Sequence, residues 1–314
     1  MENFKGMKFK YIFGPVASRR LGFSLGIDII PYKICTLDCV YCQLGPTTTK
    51  TIKRENFTSL DDILDELNCV LGQRKKIDYI TLSGSGEPTL HSHIGDIIKA
   101  IKGMTAIPIA VITNGTLLFQ KQVRESLYEA DLVIPSIDAV TQDVFMEVNR
   151  PHSSLKVDQI IEGIRYFSDE FKSEIWLEIM LIKGFNDHRD ELEKMKAIIS
   201  NINPQKIHLN TVVRPPAESY AQELFNSELQ KISTMLGEKY DIIGEFQSEE
   251  QENSNRGKRN EIVDLTRRRP VTLLDISSTL GVHKNEAIKY IQDLLKEKII
   301  HSIFHDGQTY YRSS

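Results

Sequence analysis

The chain has no run approaching the roughly 18 to 20 consecutive apolar residues that a membrane helix requires. Its opening stretch, Met1 to Lys5, lacks the apolar core that precedes signal cleavage. The expected location is the cytoplasm, with no membrane partner. Cysteine is scarce, 4 in 314 residues, which excludes a disulfide scaffold at this length. The single tryptophan, Trp176, lies in an apolar run and is assigned to the core. Internal repeats and low-complexity tracts are absent. The net charge is slight, −4, and conceals a division: residues 256–314 hold 11 Lys and Arg against 7 Asp and Glu, whereas residues 1–255 hold 28 against 36. A mildly basic end on an acidic body is compatible with a polyanion partner and equally with a solvated surface.

What is present is enough apolar material, 40% of residues, for one large core and a second, smaller one. Short β-branched runs at 26–30, 77–82, 108–113, 132–137, 175–181 and 206–212 alternate with amphipathic stretches and predict buried parallel strands. Between the first two, Leu60, Ile63, Leu64, Leu67, Val70 and Leu71 recur at helical spacing behind Ser59 as N-cap. About six βα units of this kind predict an α/β fold, an open or partial TIM-like (β/α)6 barrel over residues 1–243, with functional groups at the carboxyl ends of the strands. An acidic, apolar-poor stretch at 244–256 predicts a flexible linker. Beyond it, helices at 260–269, 273–280 and 285–298 and a hairpin turning at Asp306-Gly307 predict a winged helix-turn-helix domain over 257–314.

Three of the cysteines, Cys35, Cys39 and Cys42, crowd into one short segment directly after the first strand. Three soft thiolates on a tight loop can hold three irons of a cubane cluster, whereas structural zinc prefers four ligands. No fourth protein ligand is near. Zinc binding and buried thiols are the alternatives, and Cys69, on the polar side of its helix, is assigned to the surface.

This three-cysteine motif, with aromatic Tyr41 before its last cysteine, resembles that of the radical S-adenosylmethionine (radical SAM) superfamily. Gly84-Ser85-Gly86-Glu87-Pro88 is similar to the glycine-rich motif that meets the cofactor's methionine amino group, with Ser85 replacing the usual glycine, and Thr113-Asn114-Gly115 closes the third strand. The segments 14–22 and 214–216 resemble the wyosine-synthase-related branch, some of whose members modify transfer RNA. The resemblance implies a [4Fe-4S] cluster on Cys35, Cys39 and Cys42, S-adenosylmethionine as cosubstrate, and a one-electron donor of flavodoxin or ferredoxin type. It also implies cofactor contacts from Tyr41 and from Gly84 through Pro88.

Carboxylates among apolar strand residues are costly to bury unpaired, so Glu178 and Asp138 are expected to face the cavity in catalytic roles. Arg19 and Arg20 suit a substrate phosphate or carboxylate, as do Asn149-Arg150-Pro151 and Arg214. Asn114, Ser136 and Asn210 are candidate cofactor contacts that could equally satisfy backbone groups. His283, His301 and His305 have no metal-ligand spacing and are expected in surface or packing roles. In the terminal domain, Arg256, Lys258, Arg259 and Arg267 to Arg269 would suit a nucleic acid such as tRNA, while the charge-balanced third helix would equally suit a peptide or protein, or a lid. A DNA-binding redox sensor is the rival from another class, and the Gly84–Pro88 turn argues against it.

Overall fold

The computed structural model describes residues 9–73, 76–213, 216–243, 249–268, 270–305 and 308–314. Strands β1 (Ile12–Ser18) and β2 (Gly22–Ile27) are followed by the short pair β3 (Ile34–Cys35) and β4 (Thr49–Lys50). Then come α1 (Leu60–Leu71), β5 (Tyr79–Leu82), α2 (Ile94–Met104), β6 (Ile109–Thr113), α3 (Lys121–Ser126), β7 (Leu132–Pro135), α4 (Gln142–Val148) and α5 (Val157–Glu170). β8 (Glu174–Leu181), α6 (Arg189–Ser200), β9 (Lys206–Thr211), α7 (Asn226–Leu236) and β10 (Tyr240–Ile242) complete this part. The main sheet runs β1-β2-β5-β6-β7-β8-β9-β10, and every neighbouring pair except β1 and β2 is parallel.

The fold class is thus α/β with a mostly parallel sheet, and the six strands read from the sequence are its centre. β1 escaped that reading because Gly14-Pro15 interrupts it. The register shifts between Phe13 and Val16, and proline is tolerated because β1 is an edge strand. Each helix turns an apolar face onto the sheet: Ile63, Leu67 and Val70 of α1 are buried, as are Ile94, Ile97, Ile98 and Ile101 of α2. Ser59 caps α1 as expected, accepting from Asp62 N at 3.4 Å. Leu21, in the β1–β2 turn, packs against Ala110, Leu132, Ile134 and Trp176 near the starts of β6, β7 and β8. The sheet is therefore curled and plugged at the amino ends of its strands, which leaves the carboxyl ends to form a cavity.

Beyond residue 248 come α8 (Glu249–Arg268), β11 (Val271–Thr272), α9 (Leu273–Leu280), α10 (Lys284–Lys296), β12 (Ile300–His305) and β13 (Gln308–Ser313). The last three strands form an antiparallel sheet, β11-β13-β12, over a separate core that includes Ile262, Ile276, Ile291 and Leu294. α8 begins at Glu249, within the stretch read as a linker, and runs on through Asn260, where the first C-terminal helix was expected to start. Glu, Gln and Arg are strong helix formers even without an apolar face. Residues 244–248, Arg269 and the Asp306-Gly307 turn lie outside the described residues. Among the described residues, no helix is long and apolar enough to cross a membrane.

Candidate active site

The segment leaving β2 carries the cysteines and is held by backbone bonds to three other elements. Lys33 N donates to Ser85 O at 2.7 Å, Thr51 N to Cys35 O at 3.0 Å, and Asp38 N and Val40 N to Asn149 O and Val148 O, each at 3.0 Å. Leu37 and Val40 anchor the loop in the core. Its three thiols line one cavity of about 380 Å³, and each sulfur receives a nitrogen donor. Asn114 Nδ2 lies 3.5 Å from Cys35 Sγ, Asn149 Nδ2 3.4 Å from Cys39 Sγ and Lys33 Nζ 3.2 Å from Cys42 Sγ. Such donors stabilise thiolate and tune a cluster's potential. Burial pushes the Cys35 thiol up to about 12 and Cys39 well above its ordinary range, so iron ligation would have to displace their protons. Among the described residues no three His, Cys, Asp or Glu side chains converge on a single-ion site. Thiols set apart around a cavity wall could hold three different irons of one cluster, and this donor set fits that group better than zinc. Cys69 lies away from the cavity on α1.

The turn after β5 backs directly onto the cysteine segment. A Cβ on Gly86 would lie 2.0 Å from Ile34 O, and one on Gly84, at φ +155, 2.4 Å from Asp28 Cγ. Only glycine allows either approach. Ser85 has a local reason for replacing glycine: its N and Oγ both donate to the Asp28 carboxylate. Glu87 is wholly occupied within the protein, accepting from Thr89 N at 3.0 Å, Asn114 N at 2.8 Å and the hydroxyls of Thr89 and Thr113. Burial raises its pKa, and those bonds oppose the rise. Its carboxylate braces the ends of β5 and β6, fixing Asn114, whose Nδ2 also donates to Thr36 Oγ1 at 2.8 Å.

On the opposite wall, buried Asp138 accepts from the Tyr41 hydroxyl, from Asn149 Nδ2 at 2.8 Å and from Met180 N at 2.9 Å. This ties the cysteine loop to β8, although burial still pushes the Asp138 pKa up. Deeper in, Glu178 forms an ion pair with Arg20 and accepts from Asn210 Nδ2 at 2.9 Å, while Arg19 Nη1 donates to Asn210 Oδ1 at 3.3 Å. The β1–β2 turn thus reaches across the curled sheet to β8 and β9. Ser136 bridges to Glu178 through the backbone.

Every residue singled out as catalytic, cofactor-binding or metal-binding lines this cavity except Pro88, which starts a 3-10 turn below the loop. Arg150 does not line it; its guanidinium donates to Asp38 O and Glu218 Oε1, each at 2.8 Å, and so braces the cysteine loop. Arg214 and the side chains of Arg256, Arg268, Arg269 and His305 lie outside the described residues. Sequence reasoning missed Lys33, Asp28 and the start of α10. His283 stacks on Phe13 with ring centroids 4.6 Å apart and places Nε2 3.2 Å from Asp28 Oδ2. Lys284 Nζ lies 4.2 Å above the Tyr32 ring, and Asn285 and Lys289 line the cavity. No spacing signal could have joined segments so distant in the chain.

The family model of the radical SAM superfamily matches residues 29–195. Over 306 residues the chain is 35% identical to the UPF0026 protein of Methanocaldococcus jannaschii, covering 95% of this chain and 94% of that protein. It is 36% identical over 296 residues to a Brachyspira hyodysenteriae protein named GTPase Obg, covering 93% of this chain but only 43% of that protein's length. TYW1 with a lysine-pyruvate adduct bound is similar in fold, with a TM-score of 0.52 at 17% identity over 68% of this chain and 72% of that one. Streptococcus suis SuiB bound to precursor peptide SuiA gives a TM-score of 0.54 at 15% identity over 72% and 50%. This family's enzymes use a [4Fe-4S] cluster and S-adenosylmethionine. By its family match and its similarity along nearly the whole of a UPF0026 relative, the chain belongs to the radical SAM superfamily and is one of its enzymes.

Proposed function

We propose that Cys35, Cys39 and Cys42 hold the cluster and that the Gly84–Gly86 backbone seats the methionine end of S-adenosylmethionine. The observation that carries this is the convergence of three thiols, each with its own nitrogen donor, on a cavity walled by that glycine loop. When bound and reduced, the cluster supplies the electron that cleaves the cosubstrate to methionine and a 5′-deoxyadenosyl radical. The chain's own groups confine and orient. Asp138 and Glu87 fix the loops that carry Tyr41 and Asn114, and Arg20 with Glu178 forms a polar floor for the substrate. A flavodoxin- or ferredoxin-like protein is the proposed electron donor.

The proposed substrate is a nucleobase of an RNA, with tRNA the leading candidate and the wyosine-synthase-related branch the leading affiliation. The C-terminal helices and sheet, read as a winged helix domain, would present it to the cavity. A base swung out of its strand suits a pocket of this size. A peptide docked on the same domain is the second reading, favoured because Lys258 and Arg259 are engaged with Glu286 and Glu297 rather than arrayed for phosphate. The test is anaerobic reconstitution, dithionite reduction and chromatography for 5′-deoxyadenosine. Its absence from a sample with a full cluster would refute the reading. Mass spectrometry of RNA and protein from cells with and without the chain would separate base from peptide.

A further inference from the structure

The C-terminal domain forms part of the cavity wall. α10 meets the curled sheet through its first turn, where His283 stacks on Phe13 and approaches Asp28, whose carboxylate also accepts from Ser85 and Ile30. Lys284 lies over Tyr32. These contacts hold the next residue, Asn285, against the cavity, and its Nδ2 and Oδ1 are both buried without a hydrogen-bond partner among the described residues. A buried amide with neither bond made costs about 1–3 kcal/mol per group. That cost is recovered when a ligand offers complementary atoms. Lys289, one turn further along the same helix face, also lines the cavity.

A carboxamide presents its acceptor and donor side by side, both pointing the same way. A single trans peptide bond cannot match this, because its N–H and C=O point in opposite directions, and a peptide could do so only by presenting the N–H and C=O of one extended residue on a free strand edge. The edge of a nucleobase can: adenine offers N6–H and N7 to one asparagine amide. We propose that Asn285 reads a nucleobase edge inside the cavity, so that the C-terminal domain supplies a specificity residue and the site is incomplete without it. The base is either the adenine of the cosubstrate or that of the substrate. The proposal rests on the reading of this cavity as the reaction site.

Binding to the full-length, cluster-reconstituted chain tests it by isothermal titration calorimetry. One arm uses S-adenosylhomocysteine; the other uses each of the four ribonucleoside 5′-monophosphates with S-adenosylhomocysteine saturating. Asn285→Leu should weaken one of these by roughly five- to 150-fold, the range for losing a bidentate base contact. Asn285→Asp, which keeps the shape but removes both amide donors, should weaken the same one and serves as the second variant if the leucine chain does not fold. Loss in the first arm assigns the cosubstrate's adenine, and loss confined to the second assigns the substrate's base. Native affinity for both probes in a folded variant overturns the proposal while leaving the site reading intact. A native chain that carries its cluster yet binds neither probe overturns both.

Discussion

Arg20→Met isolates the buried ion pair at the cavity floor. The two side chains are 19% and 9% exposed, so the pair is largely withdrawn from solvent. Removing the arginine would strand the Glu178 carboxylate among apolar strand residues with one remaining donor, Asn210 Nδ2 at 2.9 Å. Breaking a buried pair from one side costs about 3–5 kcal/mol. The surviving Asn210 bond puts the expectation at the lower end, about 3 kcal/mol, or a fall in melting temperature of about 6 °C. The companion variant Arg20→Met with Glu178→Gln keeps an acceptor for Asn210 but removes the charge, and should recover most of that loss. Arg20→Lys should fall between native and Arg20→Met, because a point charge cannot reproduce the planar guanidinium. Urea unfolding with a shared m-value provides the measurement. A single variant within about 1 kcal/mol of native, or a double variant no better than the single, would refute the view that Arg20 compensates a buried charge.

Reconstituted Cys35→Ala, Cys39→Ala and Cys42→Ala chains should each lose the iron, sulfide and visible absorption of a [4Fe-4S] cluster, whereas Cys69→Ala keeps them; cluster loss in the Cys69 variant would refute the assignment. Gly86→Ala places a Cβ 2.0 Å from Ile34 O, so it should cost about 1–3 kcal/mol by urea unfolding and weaken S-adenosylhomocysteine binding; unchanged values would mean the turn is free to move. His208 and His91 are held neutral by burial, with pKa lowered from 6.5 to about 4. The unfolded chain therefore binds more protons between those values, and stability should fall as pH drops from about 6.5 towards 4. His208→Phe should flatten part of that acid limb in urea midpoints taken across the window, and an unchanged limb would remove His208 as a cause.

Much of the site was legible because its chemistry is local in the chain. The cysteine spacing, the Gly84–Glu87 turn and the polar residues at strand ends each lie within a few positions of an apolar run that marks a strand, and a parallel sheet gathers such ends on one side. β1 was not legible, since Gly14-Pro15 is a breaker signal until the partner strand and edge position are known. Glu87 shows a subtler limit. Its place in a recognised motif implied cofactor contact, whereas the bonds its carboxylate makes to Thr89, Thr113 and Asn114 are revealed only by the packed ends of β5 and β6.

The sequence by itself determined the α/β class, the three thiols, the glycine loop and the existence of a second core, because periodicity and spacing encode short-range geometry. Tertiary structure alone decided which charges compensate one another at the floor, why Ser85 stands where glycine is usual, and that Asn285 faces a cavity walled by residues near the opposite end of the chain. Those relations arise from the docking of two separately packed cores, and no period or motif along the chain records how one folded surface meets another.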